Sequence, residues 1–522
     1  MAAEQTIPAA LGAAADRFGD HPAYVEDGEI VTFLELLRRV RRAARAYVAL
    51  GLRPGDRVCV WAPNSVDWVV AALATSYAGG VLVPLNSRYT AHEVADVVER
   101  TAARLVVVAD GFLGRTQLAD LRATGEHPSV LALVDLADLG GLDMSDVTTA
   151  DVDAIAESVS PDDVADILFT SGTTGRSKGA MSAHRQTVGV ARAWGELGGV
   201  TGEDRYLALN PFFHSFGYKV GIVTGLVTGA TLYPLATFDL ELTMRLVEQE
   251  RITVLPGAPT IYQSLLAAPG REQRDLSSLR LAVTGAAVVP VVLVERMRQP
   301  APEGLGFDQV VTAFGMTEAV VATMARAGDP ADLVASTCGR AIPGMEARID
   351  APSGEGAGEL LLRGDYVMLG YLDDEEATAA AIDADGWLHT GDVGTLDEAG
   401  NLRITDRLKD MYISGGFNVY PAEVEQLLAR LEGVADVAVV GVPDERMGEV
   451  GAAYVVRAAG PAGEALTADD VVAWCKERLA NFKVPRRVAF LDALPRNLSG
   501  KVLKTELRSQ PRDQPEDQLR SE

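Results

Sequence analysis

Cysteine and histidine are both scarce in this chain of 522 residues. The three cysteines, Cys59, Cys338 and Cys475, contain no CxxC pair, and their odd number argues against a disulfide framework or a thiolate metal site. The six histidines include neither an HExxH motif nor a pair spaced i, i+4. The sequence therefore also argues against a zinc enzyme.

Positive charge is in short supply as well: 47 lysines and arginines face 73 acidic residues, which leaves a net charge of −26. Such a chain repels phosphate backbones and anionic lipid, which disfavours a role on nucleic acid or at a membrane surface. An anionic substrate must therefore be met by a local cationic site. The first residues lack a basic segment followed by an apolar one, so we expect no secretion signal and a cytoplasmic location.

Long uncharged runs are confined to residues 68–85 and 220–238. Each contains glycines, hydroxyl residues and a proline near its end, which favours a buried helix running into a strand over a membrane span.

Over most of the chain, helical periods alternate with short β-branched runs, which is typical of parallel sheets covered by helices. Short runs broken by glycine and aspartate between about residues 345 and 404 indicate an antiparallel barrel or a distorted sheet. A smaller α+β pattern follows from Asp410, and the polar residues 510–522 indicate a disordered tail. We therefore predict an α/β protein: a large N-terminal domain of helix-covered β-sheets with a small β-barrel-like part, and a smaller α+β C-terminal domain.

The strongest chemical signal is LFTSGTTGRSKG, residues 168–179, a short apolar strand that opens into a loop of glycines, hydroxyl residues and two cations. Small residues let backbone N–H groups approach an anion, hydroxyls add donors, and Lys178 adds a charge, so the loop predicts a phosphate cradle. It is not a Walker A loop, because Gly179 rather than serine or threonine follows the lysine. Taken alone, the segment also fits a flexible glycine loop without a ligand.

This loop resembles the signature of the adenylate-forming superfamily, which contains acyl-CoA synthetases, the adenylation domains of peptide synthetases and the beetle luciferases. Further segments resemble that family in the same order over nearly the whole chain: PFFHSFG, VTGAA, FGMTE, GWLHTGD, ITDRLKDMYISGGFNVYPAEVE and PRNLSGKVLKTELR. The resemblance implies an N-terminal adenylation domain over residues 1–407, a mobile C-terminal domain over residues 408–509 and a hinge at Lys409.

The implied reaction uses ATP, Mg²⁺ and coenzyme A in two steps. A carboxylate attacks the α-phosphate of ATP to give an acyl-adenylate and pyrophosphate, and the thiol of coenzyme A then attacks the acyl carbon and displaces AMP. The expected partners are thus a small carboxylic acid, ATP and coenzyme A, with no nucleic acid and no integral membrane contact. The sequence does not fix the oligomeric state, and a homodimer is one candidate.

The resemblance also assigns the nucleotide-binding residues. The β- and γ-phosphates would contact Thr170, Ser171, Gly172, Thr173, Thr174, Gly175 and Lys178. Adenine and the acyl group would contact Gly285, Ala286, Ala287, Phe314 and Gly315. The ribose would contact Asp392 and Arg407. Phe314 stands where the family commonly has tyrosine, so it is expected to stack on adenine without donating a hydrogen bond. Thr317 would bond the α-phosphate and Glu318 would ligate Mg²⁺, the ordinary alternative for Glu318 being a solvated carboxylate at a helix start.

Other implied roles concern the acyl and thiol steps. Lys501 is expected to bridge the attacking carboxylate and the α-phosphate as a catalytic residue, and Gly415 and Gly416 are expected to line the thiol channel after a domain rotation. His214 resembles the aromatic position that gates the carboxylate pocket in the family, although a packed histidine is common. Lys219 is expected to extend its ammonium to water, the alternative being a polar group of the acyl substrate or of coenzyme A.

Closer resemblance of NPFFHSFGYK, RITVLPGAPTIYQSLL, TGAAVVPVVLVERM and DRLKDMYISGGFNVYPAEVE is to bacterial CoA ligases of steroid catabolism. Those enzymes activate the bicyclic propanoate left after rings A and B are degraded. A medium-chain or aryl acid stays open as the substrate. One rival is an enzyme that loads a carrier-protein thiol, and another, of a different class, is a luciferase-like oxygenase or a non-catalytic nucleotide-binding relative.

Overall fold

The computed structural model describes residues 4–170, 177–285, 289–351, 356–407, 410, 412–414, 417–419, 421–444, 447–479, 481–496 and 501–509, with the backbone alone at 406, 407, 413, 417 and 418. Within these ranges, no helix combines the length and the apolar character that crossing a bilayer requires.

The strands are β1 Pro22–Glu26, β2 Glu29–Thr32, β3 Arg57–Trp61, β4 Val81–Leu85, β5 Leu105–Val108, β6 Ala132–Asp135, β7 Val164–Phe169, β8 Gly179–Ala183, β9 Arg205–Ala208, β10 Thr231–Pro234, β11 Val254–Pro256, β12 Leu281–Thr284, β13 Gln309–Met316, β14 Ala319–Met324, β15 Arg340–Ala341, β16 Met345–Asp350, β17 Gly358–Gly364, β18 Gly370–Tyr371, β19 Leu388–Leu396, β20 Leu402–Arg407, β21 Tyr412–Ser414, β22 Phe417–Val419, β23 Val434–Asp444, β24 Gly448–Arg457 and β25 Arg487–Leu491.

The α-helices are α1 Ile7–Phe18, α2 Phe33–Ala49, α3 Val66–Tyr77, α4 Ala91–Arg100, α5 Gln117–Ala123, α6 Thr149–Ser158, α7 His184–Leu197, α8 Thr224–Thr228, α9 Leu240–Glu250, α10 Pro259–Ala267, α11 Val291–Arg298, α12 Ala331–Ser336, α13 Glu375–Ala381, α14 Pro421–Leu428, α15 Pro461–Ala465, α16 Ala468–Lys476 and α17 Lys504–Ser509. A π-helix spans Phe216–Val223, and short 3₁₀ segments span Phe112–Gly114, Leu136–Gly141, Arg271–Gln273 and Asn481–Lys483.

A seven-stranded sheet, in the order β18-β8-β7-β4-β3-β5-β6 among the described strands, is parallel at its centre. Its strands read as continuous apolar runs because both faces are buried. In β3, Val58 and Val60 join one hydrophobic core while Cys59 and Trp61 join another on the opposite face. Alternation along the strand places these cores on its two sides.

A nine-stranded sheet, in the order β15-β14-β13-β12-β11-β9-β10-β1-β2 among the described strands, forms the second layer. Helices α1, α2, α3 and α7 contribute to the same hydrophobic core as residues of both large sheets. Helix α3 has 11 buried residues along its length, and β4 follows it. Residues 68–85 are therefore a buried helix and strand, and residues 220–238 likewise run from helix into β10. Both predictions are confirmed, except that the second helix begins as a π-helix.

Apart from β18, the described strands after Gly344 form two smaller sheets. Strands β16, β17, β19 and β20 pair antiparallel in that order, as the broken runs of the sequence predict. Strands β21 to β25 form a separate sheet with α14 and α16 packed on one of its cores. The predicted α/β class, with a large N-terminal part and a smaller α+β C-terminal part, is confirmed.

Candidate active site

The predicted phosphate loop connects β7 and β8, which pair antiparallel up to Phe169 and Gly179. The N–H of Thr170 donates to the carbonyl of Lys178 at 2.9 Å and closes the base of the loop. The loop residues Ser171, Gly172, Thr173, Thr174 and Gly175 lie outside the described residues, whereas Lys178 is described and exposed.

A second hairpin, β13–β14, carries the FGMTE segment. Thr317 and Glu318 form the two-residue turn between Met316 and Ala319, which pair with each other. Gly315 is required here because a Cβ would lie 2.4 Å from the backbone nitrogen of Val321. Glu318 is only 7% exposed, so the alternative of a solvated carboxylate at a helix start is wrong.

The strand before this hairpin, β12, pairs with β13 and ends at Thr284, directly before Gly285. Of the residues predicted to contact adenine, the structure describes Gly285 and Phe314, whereas Ala286 and Ala287 lie outside the described residues. Phe314 is half-buried on β13 and packs against the main core.

A bridging segment, residues 367–372, joins the two hairpins and hence the two large sheets. On one side the N–H of Met368 donates to the carbonyl of Glu318 at 2.8 Å. On the other side β18 pairs with β8, and the N–H of Leu369 donates to the carbonyl of Met181 at 2.8 Å. The bridging segment therefore holds the β7–β8 hairpin beside the Glu318 turn at the end of β13, next to β12. We expect a ligand in the crevice outside these strand ends, the usual position in open α/β sheets.

Tyr371 of the bridging segment connects the charged ends of the two hairpins. Its hydroxyl donates to Glu318 Oε1 at 2.8 Å, and Lys178 Nζ lies 4.9 Å from the centre of its ring. Burial, followed by the Glu318 carboxylate, raises the pKa of Tyr371 well above its usual value, so the phenol stays protonated as the donor. The sequence analysis missed Tyr371, since a single tyrosine after a glycine carries no motif of its own.

The predicted ribose pair lies on adjacent strands. Asp392 on β19 and Arg407 on β20 are directly opposed in the antiparallel register. Asp392 is buried, and its turn is held by Glu359, which accepts from the N–H of Gly391 at 3.0 Å and contacts His389 Nδ1 at 2.9 Å. Glu359 was also missed by the sequence analysis, because its contact arises only from the pairing of β17 with β19.

His214, the predicted gate of the acid pocket, follows β9 in a loop that Asn64 holds. Asn64 donates to the carbonyls of Ala208 and Asn210 at 3.1 and 3.0 Å and accepts from the N–H of Phe212 at 2.7 Å. Burial lowers the pKa of His214, yet the residue is exposed. A histidine with a lowered pKa is a neutral imidazole near pH 7.

Lys219 differs from its prediction. It is 2% exposed, and its ammonium lies 3.0 Å from Asp166 Oδ1 and donates to Ser182 Oγ at 2.8 Å. Neither extension to water nor pairing with a substrate group describes this residue, because its charge is already neutralised by a carboxylate inside the protein.

The C-terminal residues of the prediction belong to the smaller part of the chain. Lys501 is half-buried and precedes Val502, which forms a bridge with Arg496. The predicted hinge Lys409 and the glycines 415 and 416 lie outside the described residues.

Comparisons with known proteins match nearly the whole chain. The model of the AMP-binding enzyme family matches residues 11–372, and that of the AMP-binding enzyme C-terminal domain matches residues 423–501. A solved structure, ATP-bound MatB from Rhodopseudomonas palustris, superimposes with a TM-score of 0.82 at 32% identity and covers 96% of this chain and 98% of that one.

Two curated relatives carry the same name, 3-[(3aS,4S,7aS)-7a-methyl-1,5-dioxo-octahydro-1H-inden-4-yl]propanoyl:CoA ligase. The protein from Rhodococcus jostii (strain RHA1) is 59% identical over 520 residues, which is 97% of this chain and 98% of the relative. The protein from Mycobacterium tuberculosis (strain ATCC 25618 / H37Rv) is 55% identical over 511 residues, again 97% and 98%.

Proposed function

This chain belongs to the AMP-binding enzyme family, and from that premise we propose that its acid substrate is the bicyclic propanoate named in its curated relatives, a methyl-dioxo-octahydroindenyl propanoate. The chain is an acyl-CoA synthetase, an AMP-forming carboxylate–CoA ligase that uses ATP, Mg²⁺ and coenzyme A. The reaction proceeds through an acyl-adenylate, with release of pyrophosphate and then of AMP.

One observation carries the assignment of the site: Lys178, Tyr371 and Glu318, from three distant segments, meet where the bridging segment joins the two large sheets. Joining a carboxylate to a polyanion requires positive charge and oriented donors close to the phosphates. The exposed ammonium of Lys178 forms no ion pair among the described residues, so it is available for a phosphate oxygen. The hydroxyl of Thr317, next to Glu318, supplies a donor for the α-phosphate.

Glu318 suits a magnesium ion. A carboxylate oxygen is the ligand type that this cation prefers, and in the described part of the chain only Tyr371 donates to the Glu318 side chain, which leaves one oxygen for the metal. When bound, Mg²⁺ neutralises charge on the phosphate oxygens.

The remaining predicted roles are assigned to residues around the same crevice. Asp392 and Arg407 bind the ribose from adjacent strands, and Phe314 and Gly285 contact adenine. On the acid side, His214 borders the carboxylate. Lys501 enters from the C-terminal part for adenylation, and the glycines 415 and 416 line the thiol channel after rotation about Lys409.

We place the domain boundary after β20, with an adenylation domain over residues 1–407, a mobile domain over 408–509 and a tail over 510–522. Support comes from the separate hydrophobic cores of the β21–β25 sheet. We also propose a cytoplasmic location, because cells hold ATP and coenzyme A there, and a homodimer, because Ile30 on the edge strand β2 is 59% exposed. Light scattering of the purified chain tests the dimer.

The substrate assignment is tested by measuring CoA-dependent AMP release over steroid-derived, fatty and aryl acids. We expect the bicyclic propanoate to give the highest kcat/KM. Acid-dependent AMP release without thioester formation on free coenzyme A would indicate a carrier-protein acceptor. Absence of any acid-dependent AMP release would refute the ligase assignment.

A further inference from the structure

The buried contacts of Lys219 form a polar network deep inside the N-terminal part. We define the Lys219 network as Lys219, Asp166, Ser182 and Thr187, which are 2%, 0%, 5% and 0% exposed. Lys219 contacts Asp166 Oδ1 and Ser182 Oγ, and Thr187 Oγ1 donates to Asp166 Oδ2 at 2.8 Å. Each charged group in this network thus has a partner, as burial requires.

The network lies directly behind the phosphate loop. Asp166 on β7 and Ser182 on β8 are register partners in the hairpin that carries the loop. Lys219 therefore ties the two strands of this hairpin together at one level, between the loop and the helix α7 that supplies Thr187.

Lys219 itself belongs to the helix that directly follows His214, the residue predicted to border the acid. It lies in the π-helix, which starts two residues after His214, and the N–H of Tyr218 donates to the carbonyl of His214 at 3.0 Å. Gly217 fixes this turn, because a Cβ there would lie 2.1 Å from the carbonyl oxygen of Pro211. π-helical segments occur frequently at functional sites.

We propose that Lys219 is a positioning residue, which holds the phosphate-loop hairpin in register with the π-helix that directly follows His214. The network thereby couples the acid side of the crevice to the ATP side. This inference rests on the proposed function, since it needs residues 170–178 to bind ATP. An apolar pair of similar volume would stabilise the fold as well as a buried ion pair does or better, so stability alone gives no reason for the charges.

The test separates positioning from stability by replacing both charges together. The variant Lys219→Met with Asp166→Asn keeps volume and an acceptor for Thr187 but removes the ion pair. We measure binding of a non-hydrolysable ATP analogue with Mg²⁺ by calorimetry, with and without the bicyclic propanoate, alongside the melting temperature. We expect a melting temperature close to that of the wild type, about tenfold weaker analogue binding, since small misplacements of binding groups are costly, and loss of any enhancement by the acid.

A control removes another ion pair, of which the carboxylate is buried and the guanidinium is partly exposed. Arg280 and Asp204, 2.8 Å apart, lie at the amino ends of β12 and β9, away from the crevice. Arg280→Met with Asp204→Asn should leave analogue binding unchanged. Ser182→Ala, which keeps the ion pair, should weaken analogue binding in the same direction but less, and it serves if the double variant does not fold.

Wild-type binding of the analogue by a folded Lys219→Met, Asp166→Asn variant would overturn the inference, and so would wild-type binding by Ser182→Ala if the double variant were unfolded. If the wild-type chain itself bound no nucleotide, the proposed function would fall and this inference with it. The two failures are therefore distinguishable.

Discussion

The hairpins β7–β8 and β13–β14 face the same crevice but present their charges in opposite ways. The first presents a cation, Lys178, on an exposed side chain at the end of a long loop. The second presents an anion, Glu318, on a buried side chain in a two-residue turn, with one oxygen already bonded to Tyr371. An adaptable cation suits a flexible triphosphate, whereas a metal ligand is most useful when its position is fixed before binding.

The largest effect is expected when Glu318, the carboxylate whose position is fixed before binding, is changed. Glu318→Gln keeps the volume but removes the negative charge, so acyl-adenylate formation should fall by about 10³-fold. Pyrophosphate exchange as a function of magnesium concentration measures this effect. Glu346→Gln, at an exposed glutamate paired with Arg363, is the control and should retain wild-type exchange; equal losses in both variants would contradict the role of Glu318.

A third charged residue, Lys501, belongs to neither hairpin but to the C-terminal part of the chain. Lys501→Ala should reduce adenylate formation by about 10²- to 10³-fold, while thioester formation from supplied acyl-adenylate continues. Lys476→Ala, on the exposed side of α16, is the matched control. Equal loss of both half-reactions in Lys501→Ala would show that the residue does not act in adenylation.

The first hairpin also differs from the second because a buried histidine follows it, which should make the free energy of unfolding depend on pH. His184 directly follows β8 and accepts from the N–H of Ile7, and burial lowers its pKa from 6.5 to about 4. The unfolded chain gains this proton first as the pH falls below 6.5, so the free energy of unfolding should decrease between pH 6.5 and 4 and level off below.

This histidine should account for about 3 kcal/mol of that decrease. Denaturant unfolding across this pH window measures it, and His184→Asn, which keeps an acceptor, should flatten the curve. An unchanged slope in the variant would assign the pH dependence to other groups.

The smallest expected effect concerns the link between the hairpins. Tyr371→Phe keeps the ring beside Lys178 but removes the hydrogen bond to Glu318, which should raise the magnesium concentration needed for half-maximal adenylation by about tenfold. Calorimetric binding of the magnesium–ATP analogue complex gives a readout apart from turnover. Tyr366→Phe, in the chain just before the bridging segment, should leave it unchanged, and wild-type magnesium dependence in Tyr371→Phe would show that Glu318 needs no such support.

Sequence reasoning located the segments of the site better than the contacts between them. Strand ends could be read from apolar runs, which is why Thr170, Gly285 and Thr317 fall where β7, β12 and β13 finish. The partners of Glu318 and Lys219 could not be read, because Tyr371 and Asp166 reach them only through pairing between distant strands and helices. The π-helix was also unpredictable, since its apolar residues satisfy the ordinary helical period.

The bridging segment has a consequence for selectivity. Because residues 367–372 are bonded to β8 on one side and to the Glu318 turn on the other, the two large sheets cannot spread apart without breaking these bonds. We expect the gap between them to keep one width throughout a reaction cycle. We therefore expect the girth of an acceptable acid to be set once, when the chain folds, rather than adjusted for each molecule that arrives.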